Sequence, residues 1–550
     1  MNPNARARQR LAAAVFAASL AAYLLGSLVA RLLGRPALGD LVRMATCLPA
    51  LAAAAALFAD RAVWTIARNT IAQAVRVRAA FVILAVYLVL VPALPFLVKG
   101  DGTLRGLLHV VIAYSLIVAG MLLGLLTLAV STTTLWSELR EKQIYALEAK
   151  PIRRWHVLLG KLLGIILINA ALLAFMGLVT WGSVQFLVLR AERAAARIPS
   201  SAAYEKKVAE RGLRDAREQV LTARRTVLPD PPPQSDLDDF VGSQLEDRCR
   251  RIVRDDRIPP EARTADPATR DALIRQEAIR QLVEDFAKIV NSVPTGYTRR
   301  WHFSGLTIPR RHDLNFTVRF KFFSSDRKSE EPDHVRWEFG VPNRTKAYRY
   351  DDAFLPDEVH EIQVPADTID AEGGLEVRFQ NREPRRPTLI FSEADCLQVL
   401  IPVGGFAGNL ARGLAIIFIE VLFIAVLGIF CSTFLGFPVS PIVALSVLVV
   451  IFLVGSLKAE FEKGFTFDQN KDSPTAAAAE RVTRVVMTGL HAILPPLHKY
   501  SPSAQVSSGE EVSPLSLLEA AWSIALAYGG LLMLAGAHVF ERREVALAVP

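Results

Sequence analysis

Long apolar runs alternate with charged segments along this chain. A helix needs roughly 20 mostly apolar residues to cross about 30 Å of hydrocarbon. Runs that meet this requirement are 11–33, 79–98, 107–130, 157–188, 411–432, 439–457 and 515–537. An eighth run, 38–59, is interrupted by Arg43 and Pro49. Because the runs are continuously apolar rather than alternating, they exclude a transmembrane barrel and predict an α-helical polytopic membrane protein with about 8 transmembrane helices.

The polar stretch 190–398 separates two of these runs and begins with a helical pattern. A charged helix is predicted near 190–226. Farther along, the Asp266-Pro267 pair is typical of a helix N-cap and first turn, and apolar residues then recur at helical spacing. The segment 190–298 is therefore predicted to be a helical region.

The pattern changes to a period of two in 299–398. Phe316, Val318 and Phe320 alternate with polar residues, and turn signals separate several similar segments. Such spacing predicts an antiparallel β-sandwich, so the whole insert is expected to be an α+β domain. Trp301 and Trp337 are interpreted as core residues rather than as the lining of a sugar or lipid groove.

The net charge of +9 is unevenly distributed and favours one orientation. Fourteen Lys or Arg lie in 1–10, 60–78, 131–156 and 538–550, against three in the short loops 34–40 and 99–106. Since cytoplasmic loops collect basic residues, both termini are expected in the cytoplasm. The 190–398 domain and the loop 458–514 are then extracytoplasmic. This distribution accounts for the charge, so no nucleic-acid partner is expected.

The first sixty residues could begin with a signal peptide, because Arg6, Arg8 and Arg10 precede an apolar run. No convincing cleavage site follows, and the run exceeds a usual signal segment. Residues 1–60 are therefore predicted to be a retained transmembrane hairpin.

Familiar catalytic motifs are absent from the sequence. There is no G-x-x-x-x-G-K-[ST], no H-E-x-x-H and no G-x-S-x-G, so the chain is expected to be no enzyme and to bind no cofactor or metal itself. Cys249 and Cys396 lie on the predicted outer side and either pair or stay free. Glu420, inside a predicted span, either lines a path or gate or pairs with a polar group such as Asn169.

The segment 131–161 is the most informative part of the chain. It reads Ser137-Glu138-x-Arg140-Glu141-Lys142, then Pro151-Ile152-x-Arg154 and Gly160-Lys161, between two predicted spans. This segment resembles the first intracellular loop of ABC-2-type ABC transporter permeases, in which a coupling helix contacts the ATPase subunit. Gln143-Ile144 and Arg153 depart from the usual family pattern, which has Gly-Thr and Ser or Thr there.

The resemblance extends to 61–190 and 399–550. Residues 61–78 resemble the family's amphipathic elbow helix. The segment 79–189 would carry transmembrane helices around a cytoplasmic coupling loop at 131–156, and 399–550 the C-terminal ones. The end of the last run, Phe540-Glu541-Arg542-Arg543-Glu544, is similar to the family's closing F-x-R-R-E pattern.

The resemblance implies the permease subunit of an exporter in a bacterial cytoplasmic membrane. Its partners would be a separate ABC ATPase, which holds ATP and Mg, a second permease copy or paralogue, and membrane lipid. Arg153, Arg154 and Lys161 would hold the loop at the lipid headgroups. The residues expected to couple to the ATPase are Glu138, Arg140, Glu141, Pro151, Arg153 and Arg154.

Two other interpretations stay open. The size of 190–398 favours a non-transporting membrane scaffold or mechanotransmitter driven by an ATPase partner. A membrane-anchored enzyme is the third, without a residue cluster to support it.

Overall fold

The protein is described here from a computed structural model. It describes residues 3–32, 36–76, 78–98, 102–140, 153–255, 258, 262, 266–307, 315–325, 331–384, 387–391, 396–462, 489–490 and 494–542. Within these residues the chain forms two compact units, one of 1–223 with 405–550 and one of 224–404.

The first unit is helical. Its helices are α1 (Pro3–Leu32), α2 (Pro36–Phe58), α3 (Arg61–Arg76), α4 (Ala79–Leu97), α5 (Leu104–Arg140), α6 (Arg154–Ala196), α7 (Ala203–Asp215), α10 (Phe406–Phe434), α11 (Val439–Glu462), α12 (Pro502–Ser507) and α13 (Pro514–Arg542), with π-helical turns at Ala216–Val220 and, inside α13, at Ala521–Tyr528. The numbers α8 and α9 belong to the second unit.

Six of these helices are long and apolar enough to cross a membrane: α4, α5, α6, α10, α11 and α13. The predicted first hairpin does form two helices. Within the described residues, however, its apolar stretches are only Leu11–Tyr23 and Ala45–Phe58, each shorter than the roughly 20 residues a span needs. The second stretch continues into α3 across a bend of 72°, so the pair would add at most one crossing. The six helices indicate a membrane-embedded protein.

Helix α10 lies at the centre of this unit. Its buried residues, among them Ile416, Ile417 and Phe423, share one hydrophobic core with α4, α5, α6 and α13. The last part of the predicted loop 458–514 returns to this core, because α12 and the 510–512 segment pack on α10. Asn409 Nδ2 donates to the Glu510 carbonyl (2.6 Å), and Arg412 pairs with Glu511 (3.0 Å).

The second unit contains α8 (Gln234–Arg254), α9 (Pro267–Asn291) and antiparallel sheets. The strands are β1 (Thr222–Val227), β2 (Ser292–Val293), β3 (Thr298–Phe303), β4 (Asn315–Phe320), β5 (Phe323–Ser324), β6 (Asp333–Phe339), β7 (Tyr348–Phe354), β8 (His360–Pro365), β9 (Leu375–Asn381), β10 (Leu389–Ile390) and β11 (Leu397–Gly405). Two four-stranded sheets have the orders β1-β11-β4-β8 and β3-β9-β6-β7, and a short third sheet has the order β2-β10-β5.

The predicted helix start at Asp266 is confirmed, since its side chain accepts from the Thr269 N–H and Pro267 is the first helical residue. The predicted helix near 190–226 is wrong at its end. Residues 222–227 form β1, because Thr222, Thr226 and Val227 favour a strand and pair beside β11. The strands also extend beyond both bounds of the predicted β-region 299–398. The strand β2 begins at Ser292, and β11 ends at Gly405.

Aromatic residues of both larger sheets fill one core. Trp337 on β6 is fully buried, with its ring centroid 4.5 Å from Phe320 on β4 and 4.7 Å from Phe379 on β9. Trp301 is buried in the same cluster, which confirms the core interpretation. The Arg299 guanidinium lies 4.4 Å above the Trp301 ring, and burial lowers the pKa of Arg299 to about 10.

A buried charged network crosses the first of these sheets. Arg224 is 1% exposed and lies 3.7 Å from Glu361, which also pairs with Arg319 at 3.0 Å. Cys249 and Cys396 form no disulfide in the structure, so the alternative of a bond between them is not realised.

Candidate functional site at the α5–α6 junction

The predicted coupling segment lies between the end of α5 and the start of α6. Arg140 is the last residue of α5, and Arg153 immediately precedes α6 in an extended conformation. Glu141 and Pro151 lie outside the described residues. Glu138 belongs to the last turn of α5, and its side chain is not among the described ones.

The α5 side of the junction is held by aromatic contacts. Trp136 packs against Phe437, in the connection between α10 and α11, with ring centroids 5.4 Å apart. The exposed Arg140 guanidinium lies 5.1 Å from the centre of the Trp136 ring. The end of α5 is therefore fixed to the α10–α11 connection, and Arg140 presents its charge beside that contact.

Arg154 ties the α6 side to the end of α13. Its Nη1 donates to the backbone carbonyls of Phe540 (3.0 Å) and Glu541 (3.4 Å), while its guanidinium lies 5.9 Å from the centre of the Phe540 ring. The last carbonyls of a helix have no partners within the helix and carry its negative dipole end, so a cation is favourable there. Arg153, one residue earlier, is exposed.

Lys161 joins α6 to α5. Its side chain is 1% exposed, and Nζ donates to the Thr134 carbonyl at 3.1 Å. The expectation that Lys161 holds the loop at lipid headgroups is wrong, because the ammonium is buried between two helices. A buried charge needs such partners to offset its lost hydration.

His156 and Asp60 connect α6 with the start of α3, and the sequence did not predict this pair. His156 is 3% exposed, and its Nε2 lies 3.5 Å from Asp60 Oδ2. The other carboxylate oxygen of Asp60 accepts from the Ala62 N–H at 2.7 Å, as a helix N-cap does. In the sequence, the only indication of this pair is the Asp immediately before the predicted amphipathic helix 61–78.

Two glycines allow α3 to lie directly on α6. A Cβ at Gly160 would be 2.9 Å from the Val63 carbonyl oxygen, and one at Gly164 would be 2.9 Å from that of Ala67. Both distances are shorter than any normal Cβ contact. The G-x-x-x-G spacing, which by itself is common, here brings two helix backbones together.

Glu420 is half-buried on α10 and has no hydrogen-bond or ion-pair partner within the part of the chain described. The suggested partner Asn169 instead accepts a hydrogen bond from Thr127 at 3.0 Å. The structure therefore places Arg140 at the end of α5 and Arg153 and Arg154 at the start of α6, while Glu420 lies within α10.

Comparison with known proteins identifies no relative: no family model, no curated protein and no solved structure matches the chain. Among the described residues, no group of three or more His, Cys, Asp or Glu side chains is arranged to hold a metal ion. The junction connects the ends of α3, α5, α6 and α13 with the α10–α11 connection. The exposed cations Arg140 and Arg153 lie on either side of 141–152.

Proposed function

We propose that this chain is the permease subunit of an ABC-2-type ABC transporter, an exporter that couples ATP hydrolysis by a separate ATPase to substrate movement. The observation that carries the proposal is the anchoring of the chain on both sides of 141–152. On the α5 side Trp136 packs against the α10–α11 connection, and on the α6 side Arg154 bonds to α13. The motif resemblance in 137–161 supports the same assignment.

Force applied to 141–152 has a direct route into the helices. Helices α5 and α6 are 37 and 43 residues long, and the Lys161–Thr134 bond joins them six residues before the end of α5 and seven residues after the start of α6. His156 adds α3 through Asp60. Force on this segment would therefore be transmitted to α3, α5, α6 and α13 together and would not stay within the loop.

The finer features of the proposal follow from charge distribution and resemblance. They are cytoplasmic termini, a location in a bacterial inner membrane, and a 224–404 unit outside the cytoplasm whose two larger sheets form a sandwich. A second permease copy or paralogue would complete the pathway. Glu138, Arg140 and Glu141 would contact the ATPase.

The test is to purify the full chain with the ATPase that accompanies it in its native membrane and measure ATP hydrolysis after reconstitution. Arg140→Glu and Glu141→Lys should lower permease-dependent hydrolysis at least tenfold while the chain stays folded. Lys206→Glu, an equal charge change at an exposed site on α7, is the matched control. Full coupling in both junction variants, or the lack of any ATPase partner, would contradict the proposal.

The scaffold alternative is favoured by the compactness of the 224–404 unit, which has its own aromatic core. In that case hydrolysis would be independent of any substrate, and a spectroscopic label in this unit would report movement on ATP addition. Transport of a substrate into proteoliposomes, abolished by Glu420→Gln without loss of stability, would favour the transporter instead.

A further inference from the structure

A cavity of about 640 Å³ lies among α3, α5 and α6, beside the start of α4. Its volume is within the range of about 300–1,000 Å³ typical of ligand sites. The wall of this cavity is mostly apolar, but it also carries hydroxyl, amide and guanidinium groups. They include Gln73, Arg76, Thr127, Thr133, Ser137 and Asn169.

Asn169 is the central observation. It is 4% exposed, its Oδ1 accepts from Thr127, and its amide N–H groups have no partner among the residues that the structure describes. A ligand that accepts a hydrogen bond inside the cavity would pair these N–H groups.

The other donors in the cavity point to an anionic acceptor. Arg76 and Gln73 form no hydrogen bond or ion pair with described residues. The hydroxyl of Thr133 is already used, since it donates to the Ala129 carbonyl at 2.7 Å, and that of Ser137 donates to the Thr134 carbonyl. Arg76, Gln73 and Asn169 thus offer one cation and two amides as donors, a set that suits phosphate oxygens.

The position of the cavity points to an amphiphile. Helix α5 is apolar up to Val130 and then continues as Ser131-Thr132-Thr133-Thr134, while the apolar part of α4 begins at Ala80, just after Arg76 and Arg78. Thr127 and Ser137 are separated by about 15 Å along α5. The cavity therefore crosses the boundary between apolar and polar helix surface, where a bilayer changes from acyl chains to headgroups.

We infer that this cavity binds a phosphoester amphiphile of the membrane, with the phosphate on Asn169 and Arg76 and the hydrocarbon against Leu126, Ile165 and Ile168. A free phosphate ion has no hydrocarbon to pack against the apolar wall. A membrane lipid is therefore the expected source of the phosphate group. The inference does not depend on the permease proposal, because binding needs no ATPase and no transport.

The experiment is native mass spectrometry of the full chain in detergent, titrated with dioleoylphosphatidylglycerol. Dioleoylglycerol, which has the same chains without phosphate, and inorganic phosphate are the two comparison probes. Phosphatidylglycerol should bind, and Asn169→Leu or Arg76→Gln should weaken it at least about tenfold, as expected when a hydrogen bond to a charged group is lost. Arg68→Gln, an exposed cation of α3 outside the cavity, should leave binding unchanged.

A further variant is chosen so that a folding defect does not explain a loss of lipid binding. Ala129 lines the cavity and is exposed, so Ala129→Phe should fill the space without disturbing a packed core and should displace the lipid. Equal binding of dioleoylglycerol, or unchanged phosphatidylglycerol binding in all three variants, would overturn the inference. Binding of inorganic phosphate alone, with the same dependence on Asn169, would also overturn it.

Discussion

Arg154 and Phe540 meet at the ends of two helices far apart in sequence: Arg154 Nη1 donates to the Phe540 backbone carbonyl at 3.0 Å. The contact gives an otherwise unpaired helix-end carbonyl a charged donor. It also ties Arg154, the second residue after the 141–152 segment, to α13, the last helix of the part of the chain that the structure describes.

Replacing Arg154 by Met should loosen the end of α13. The variant keeps most of the side-chain volume but removes the donor, at a cost of about 1–3 kcal/mol. Hydrogen exchange of the amides near residues 538–542 should become faster. Arg153→Met is the matched control, because Arg153 is exposed and precedes the helix. Equal protection in the two variants would show that Arg154 does not hold α13.

The contact between α3 and α6 should not tolerate side chains at its two glycines. Gly164→Val would place its branched side chain against the Ala67 carbonyl, and overpacking of this kind costs about 1–3 kcal/mol. The apparent Tm of the purified chain should fall. Gly182→Val, in the same helix but with no atom within 4 Å of the added Cβ, should change Tm little. A similar loss in both variants would attribute the effect to helix propensity alone.

Gly509 should be the least replaceable residue of the turn after α12. Its φ is +70°, and a methyl group there would overlap the backbone carbonyl oxygen of Gln219. Gly509→Ala should therefore lower the Tm by more than Gly102→Ala, where φ is +81° but the surroundings are open. The left-handed backbone conformation alone costs a residue with a Cβ atom about 1–2 kcal/mol. Equal losses would mean that the contact with Gln219 adds nothing.

Glu361→Gln should destabilise the sheets of the 224–404 unit. The substitution leaves the buried Arg224 without its carboxylate, and breaking such a pair costs about 3–5 kcal/mol. Hydrogen exchange of the β4 and β8 amides would report the loss. Glu338→Gln removes a more accessible partner of Arg349 and should cost less than about 1 kcal/mol. Unchanged exchange in Glu361→Gln would show that the network contributes nothing.

The local pattern of apolar and polar residues was sufficient to predict much of the fold. The runs 157–188 and 439–457 correspond to α6 and α11, and the alternation around Val318 corresponds to β4. These features follow from periods of 3.6 and 2 within one element. The short strand β1 was missed because its pairing depends on β11, which lies about 170 residues later in the chain.

The candidate site was only partly predictable. The sequence located the segment between α5 and α6 and its basic residues. It could not show that Lys161 is buried against Thr134 or that His156 faces Asp60, because each contact joins different helices. The unpartnered amide of Asn169 was likewise invisible, since its environment is created by the packing of α3, α5 and α6.

The adjacency of β1 and β11 has an evolutionary consequence. The chain enters the 224–404 unit through β1 and leaves it through β11, and these two strands are neighbours in one sheet. An insert whose two ends lie side by side can be gained or lost in one genetic event, because a short linker bridges the gap. An ancestral chain could therefore have lacked this module and kept the helical unit intact.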